Sequence, residues 1–305
     1  MDRADMMVGA VDIGTNTVRL LIADASTDPP SEVERHSVVV GLGRGVDRAR
    51  RFDPDAVERA LAALGGFAER MDDAGVARRS AVATSASRDA ADADAFLDRV
   101  ATVIGVRPRV ISGDEEGRLS FRGATRWLPG SMPVVVIDPG GGSTEFVFGG
   151  TRPDYMVSID IGSVRLTDRL LPDRPATSEQ IAAAAAHVRD LFASVTLPGR
   201  PSRAVGVGGT FTSLAGIAAS ESDAPTVVEG RGMTQRALDG LVGALAGLSI
   251  EQTAAIPSLD PARAPAILGG AIVAAEAARH VAVDAVTVSV RDLLDGVAME
   301  LASHG

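Results

Sequence analysis

Moved along by 126 residues (138 minus 12), this chain overlays itself without a gap. Asp12-Ile13-Gly14-Thr15-Asn16-Thr17 falls on Asp138-Pro139-Gly140-Gly141-Gly142-Ser143, and Leu20-Leu21-Ile22 falls on Phe146-Val147-Phe148. Each copy is an apolar strand closed by an Asp, a small-residue turn carrying hydroxyls, and a second apolar strand. One such segment is easily a chance event. Two in register, one in each half, point to a chain built from two like halves.

The rest of the pattern alternates strands with helices, which predicts an α/β fold. In the first half, strands are expected at 8–13, 18–23, 38–40, 81–83 and 109–111. Asp53-Pro54 sets an N-cap followed by a proline at the first helical position, with apolar spacing running to Met71. Further helices are expected over 96–104, closed by Gly105, and from Ser112 towards Trp127. The turn-rich run Leu128-Pro129-Gly130-Ser131-Met132-Pro133 is the expected boundary, giving domains 1–127 and 128–305. The second half predicts strands at 134–137, 144–148, 155–159, 204–207 and 285–288. Its helices are expected over 178–192, 266–279 and from Arg291, the last free to pack back on the first domain.

At 305 residues the chain has room for about two domains. It holds no Cys and no Lys, its 30 basic residues being arginines, so disulfides, thiolate sites, Schiff bases and a P-loop lysine are excluded. A net charge of −10 repels nucleic acid, so an anionic substrate needs local arginines or backbone N–H groups. There is neither a leader-like apolar segment nor a run long enough to span a membrane, which makes the cytoplasm the expected compartment. The four histidines, His36, His187, His280 and His304, lie outside every motif.

Glycine-rich strand-to-strand turns let backbone N–H groups approach an anion. Gly14, Thr15, Asn16 and Thr17 form one such turn, with Arg19 just beyond it, and Gly140, Gly141, Gly142, Ser143 and Thr144 form the other. Ordinary tight hairpins use the same residues; the duplication favours phosphate loops facing one another across a cleft. Gly206-Val207-Gly208-Gly209-Thr210 is a third glycine turn, here opening a helix, where phosphate binding competes with simple capping. Asp12, Asp138 and Glu145 flank the paired turns with no His or Cys nearby, an oxygen-only set suited to Mg²⁺; a salt bridge is the alternative for Glu145. Ser112-Gly113-Asp114-Glu115-Glu116 has capping-box spacing, which occupies Glu115 and leaves Glu116 either as a base for water or as one more acid favouring the helix N-terminus. Arg88 can clamp a phosphate or pair with Asp89. Arg118, Arg122 and Arg126 share one helix face, either solvated or a polyanion landing site.

Taken in series, these segments resemble the exopolyphosphatase / guanosine pentaphosphate phosphatase family over about residues 8–296. The matching stretches are 10–20, 84–90, 111–116, 138–145 and 206–210. The resemblance implies two duplicated actin-like ATPase (ribonuclease H-like) domains with an interdomain cleft. It also implies Mg²⁺-dependent release of terminal phosphate from inorganic polyphosphate or guanosine pentaphosphate. By matching position, Glu116 is the expected catalytic base, and Asp138 and Glu145 are the metal-linked carboxylates, with Asp12 at the first phosphate loop. Asn16, Arg88, Ser143, Gly208 and Gly209 are the implied phosphate contacts, and Thr210 stands beside them. The chain is similar to short members without a further helical domain; a homodimer is compatible with it, and nucleic-acid and membrane partners are not expected. Short polyphosphates are the expected preference. A guanosine-phosphate sensor without catalysis and an ATP-using kinase of the same fold are the alternatives. Three positions depart from the family pattern: Pro139 where an aliphatic residue is usual, Gly117 for Ala, and Leu294 for Arg.

Overall fold

The structure, a computed structural model, describes residues 6–128, 132–219 and 228–303. Half of the expected boundary turn (129–131), residues 220–227 and His304 lie outside those residues. The chain divides into two compact units, one of residues 1–126 with 292–305, the other of residues 127–291. Among the described residues no helix is long and apolar enough to cross a membrane.

The first unit holds β1 (Met7–Ile13), β2 (Thr17–Asp24), β3 (Ser31–Val39), β4 (Arg78–Ala83) and β5 (Arg109–Val110), ordered β3-β2-β1-β4-β5. The second holds β6 (Val134–Pro139), β7 (Thr144–Gly149), β8 (Pro153–Ile159), β9 (Arg203–Gly206), β10 (Gly232–Thr234) and β11 (Ala285–Val288). Its sheet runs β8-β7-β6-β9-β11, with β10 added at the end. In both units the central strand pairs antiparallel with the next strand and parallel with the strand that follows the crossover. This is the ribonuclease H-like topology duplicated, the actin-like α/β fold.

β1 is buried along its whole length because both faces of the sheet are covered. Met7, Val11 and Ile13 enter a core with Leu64, Phe67 and Leu97, whereas Val8 and Ala10 enter another with Leu293, Leu294 and Val297. The two-residue period puts Asp12 on the face of Val8 and Ala10, and Arg19 on that of Leu21 and Ala23. Arg35 stands opposite Leu21 on β3. All three charged residues therefore share the sheet face covered by the last helix, Leu293–Ser303.

The helix Pro54–Asp73 starts as its sequence dictates, with the Asp53 carboxylate accepting from Ala56 N at 2.9 Å. Gly105, at φ 76°, closes Ala93–Ile104. The helix Gly113–Thr125 is capped by Ser112 Oγ, which accepts from Glu115 N. β3 is far longer than 38–40 because an edge strand with exposed Glu32 and Val33 lacks the apolar pattern of its neighbours. Helices Ser163–Leu170, Gln235–Ala246 and Ile250–Ala254, and strand β10, go beyond the sequence reading. Leu294 is fully buried in the apolar cluster beneath β1, so this departure from the family pattern is a core residue.

The last helix packs on Gly113–Thr125 through glycines. A Cβ on Gly123 would overlap the Asp292 carbonyl, and one on Gly296 the Leu119 carbonyl. Gly240, exposed inside its helix, has open space around it. Gly296→Ala is therefore expected to lower stability by about 1–3 kcal/mol through overpacking. Gly240→Ala should raise it by about 0.4–1 kcal/mol. Urea-unfolding midpoints of the two variants check this opposition of sign.

Candidate functional site

The two glycine hairpins are held by one device used twice. Gly14 N donates to Thr17 O at 3.0 Å, and Gly140 N to Ser143 O at 2.9 Å, at equivalent positions. The carbonyl side of each turn is then taken by the segment leaving the third strand. In the first unit Val40 N and Gly41 N donate to Asn16 O, and Gly43 N to Thr15 O. In the second, Ser163 N donates to Gly140 O, and Val164 N and Arg165 N donate to Gly141 O. The buried Arg165 adds a bond from Nε to Gly142 O at 2.8 Å. Side chains at Gly43 or Gly162 would collide with the turns they clasp. Thr15, Asn16, Thr17 and Ser143 are all buried beside these turns.

At the end of β1, Asp12 faces Arg19 across the strand pair. Arg19 donates to Asp12 Oδ2 from Nε at 2.8 Å, with Nη2 at 2.7 Å from the same oxygen, and from Nη1 to Asp292. Arg35 in turn donates to Asp295 Oδ2 at 2.9 Å and lies 3.9 Å from Asp292 Oδ1. Burial pushes the Asp12 carboxyl upward; Arg19 pulls it partly back, and Asp292 adds to the rise. Burial works against the Arg35 charge, but Asp295 and Asp292 override it and hold the guanidinium protonated. Asp12 Oδ1 is buried and has no hydrogen-bond partner among the described residues.

Glu116 and Arg88 come together. Glu116, in the first turn of its helix, is 8% exposed, and its Oε2 accepts from Arg88 Nη1 at 3.0 Å. The same nitrogen donates to Ile111 O at 2.8 Å, fixing the pair to the end of β5. Arg88 thus pairs with Glu116, not with Asp89, which lies 3.7 Å from Arg50. The Glu115 carboxylate accepts from Arg109 at 2.7 Å. Arg118, Arg122 and Arg126 are exposed, and Arg126 donates to Asp28 at 3.1 Å.

In the second unit the equivalent strand positions hold two carboxylates, Asp138 opposite Glu145. Glu145 Oε1 accepts from Ser158 Oγ at 2.7 Å. Gly208, at φ 77°, lies against Asp138, since a Cβ there would stand 2.6 Å from Oδ1. The Arg263 guanidinium covers Gly209, a placement that no local motif announces. The Thr144 hydroxyl donates to Ile161 O at 2.6 Å and that of Thr210 to Pro139 O at 2.7 Å. Both protons are engaged by the protein, so neither hydroxyl is left to donate to an anion.

Among the described residues no three acids or histidines gather closely enough to hold a metal by themselves. What the chain offers is one or two carboxylates at a time: the unpartnered Asp12 oxygen in one unit, the opposed pair Asp138 and Glu145 in the other. That set fits a hard cation that keeps waters and completes its shell with substrate oxygens.

Glycine turns held from their carbonyl side, buried carboxylates at the strand ends and a guanidinium-braced glutamate define a phosphate-handling enzyme of the actin-like class. The comparisons agree. The chain belongs to the Ppx/GppA phosphatase family, whose model matches residues 21–304. It is 40% identical to exopolyphosphatase 2 of Mycobacterium tuberculosis over 97% of this chain and 98% of that one. A solved exopolyphosphatase-like protein superposes with a TM-score of 0.91 at 34% identity, over 97% of each chain. A family member from Aquifex aeolicus does so at 0.80 and 30%, again over 97% of each.

The raised Asp12 carboxyl carries a sign for stability. A buried acid that binds its proton more tightly when folded favours the folded chain below its unfolded value of 3.8. That contribution is lost as pH rises through the folded value. Asp12→Asn, which never ionises, is therefore expected to melt higher than the wild type at pH 7–8. The gain should shrink as pH falls towards the carboxylate range, which melting curves over a pH series will show.

Proposed function

We propose that this chain is an exopolyphosphatase that removes the terminal phosphate of inorganic polyphosphate with the help of Mg²⁺. The observation that carries the reading is the buried Glu116–Arg88 pair, a carboxylate kept from solvent and braced from one side. The exopolyphosphatase named among the relatives, alignable end to end, supports it.

In this reading the backbone N–H groups of 14–17, 140–143 and 208–210 hold non-bridging oxygens, and Arg88 and Arg19 add guanidinium contacts. Asp12 in the first unit, and Asp138 and Glu145 in the second, are the carboxylates that would serve as cation ligands, and a bound cation would supply charge neutralisation on the phosphate oxygens. Glu116 accepts a proton from water as the water oxygen bonds to the terminal phosphorus. The bond from phosphorus to the bridging oxygen breaks, and the chain shortened by one phosphate carries away the bond's electrons. Arg88 has a second part here: turning from Glu116 to a phosphate oxygen strips the carboxylate of its counter-charge and makes it a stronger proton acceptor. Catalysis is then mainly positioning and charge stabilisation. With a net charge of −10 opposing the approach of long polyanions, short polymers are the preferred substrates.

Phosphate release should be measured side by side from polyphosphates of defined length, guanosine pentaphosphate and ATP, with Mg²⁺ and with chelator. Release that is fastest from short polyphosphate and abolished by chelator is the expected result. Preference for guanosine pentaphosphate would reassign the substrate, and faster turnover of long polymers would overturn the length argument. Glu116→Gln should lower kcat by about 10²–10⁴-fold with polyphosphate binding little changed. A rate near wild type would remove Glu116 from the mechanism.

A further inference from the structure

On the sheet face shared by Asp12, Arg19 and Arg35, the start of the last helix places two more carboxylates, Asp292 and Asp295, both buried. The group holds three carboxylates (Asp12, Asp292, Asp295) against two guanidiniums (Arg19, Arg35), one negative charge in surplus; Glu32, which accepts from Arg35 at 2.9 Å, stands at its exposed rim. Asp292 cannot follow Arg19 about. Its Oδ1 accepts from Leu294 N at 3.0 Å, its own N–H donates to Asp295 Oδ2 at 3.0 Å, and its carbonyl is wedged against Gly123. Arg19 must therefore come to Asp292. With Nη1 spent there, Nε and Nη2 both fall on one oxygen of Asp12, Oδ2, and Oδ1 keeps no partner.

We infer that Asp292 and Arg35 are positioning residues which set how tightly Asp12 binds a divalent cation. The inference rests on the reading of Asp12 as a metal carboxylate. Asp292 holds Arg19 off Oδ1 and supplies the surplus charge. Without its charge Arg19 is free to swing into a two-oxygen pairing with Asp12, the geometry a guanidinium prefers, and the cation loses its ligand. Arg35 acts in the opposite sense. It neutralises Asp292 and Asp295, and removing it makes both draw harder on Arg19 and raises the surplus from one charge to two.

The test compares wild type, Asp292→Asn and Arg35→Gln. Mn²⁺ is titrated into each protein without substrate, and the free ion is followed by its paramagnetic resonance. Half-saturating Mg²⁺ and kcat at saturating Mg²⁺ are measured in parallel. Asp292→Asn is expected to weaken Mn²⁺ binding by about tenfold, the lower end of what metal-orienting neighbours contribute, and to raise half-saturating Mg²⁺ alike, with kcat changed by less than about threefold. Arg35→Gln is expected to tighten Mn²⁺ binding by about threefold or more. A purely structural role predicts weaker binding in both variants, and that result, or no change in Asp292→Asn, overturns the inference while leaving the metal reading of Asp12 intact. A wild-type chain that takes up no Mn²⁺ overturns both. Should Asp292→Asn fail to fold, the sign of the Arg35→Gln shift decides alone.

Discussion

A buried turn has to satisfy its carbonyls, and both units solve that problem in the same way. Protein N–H groups arriving from the third strand's exit take the carbonyls of Thr15 and Asn16 in one unit, and of Gly140 and Gly141 in the other. Once that side is committed, the turn cannot rotate without breaking several bonds at once, and the Asp at the preceding strand end is fixed with it. The glycines at 43 and 162 are consequences of the clasp, since the arriving backbone comes too close for a side chain.

The duplicated frame then carries unequal chemistry. Where β1 and β2 set Asp12 against Arg19, β6 and β7 set Asp138 against Glu145. One unit neutralises its strand-end acid internally and the other concentrates acid, with Gly208 and the Arg263-covered Gly209 close by. Opposed like charges weaken a strand pair unless something positive compensates them. The same register thus sets an acid against a guanidinium in one half and two acids against one another in the other. Function comes from that broken symmetry, which the fold by itself does not supply.

What the sequence discloses follows from how local each feature is. The strand-end acids, the glycine turns and the Asp53-Pro54 helix start depend on neighbours a few residues away, and they stand where their spacing puts them. Glu116 is legible as a candidate base only beside its rival reading as a helix-terminal acid; its bond to Arg88, 28 residues earlier in the chain, gives it a partner that spacing does not announce. The contacts of Asp292 and Asp295 with Arg19 and Arg35 belong to no short pattern, because those partners lie 273 and 260 residues away. β3 escaped for another reason: at the sheet's edge, burial no longer selects apolar residues. Two hydroxyls that read as ligand donors, those of Thr144 and Thr210, turn out to tie loops together.

The residues at 292–295 make sense together once the sheet face is considered. Leu294 points into the apolar cluster with Val8, Leu21 and Leu119, where an unpaired cation would be costly. The turn before it holds Asp292 and Asp295 on either side of that buried leucine, at the spacing that caps a helix start and faces Arg19 and Arg35 at the same time. The guanidiniums that face Asp292 and Asp295 come from β2 and β3, and Asp12 of β1 adds a third carboxylate to the same face. An arginine restored at 294 would have to displace apolar packing to reach any of these carboxylates. The helix start is therefore matched to the strands beneath it as a set, and exchanging one member of that set leaves a buried charge uncompensated.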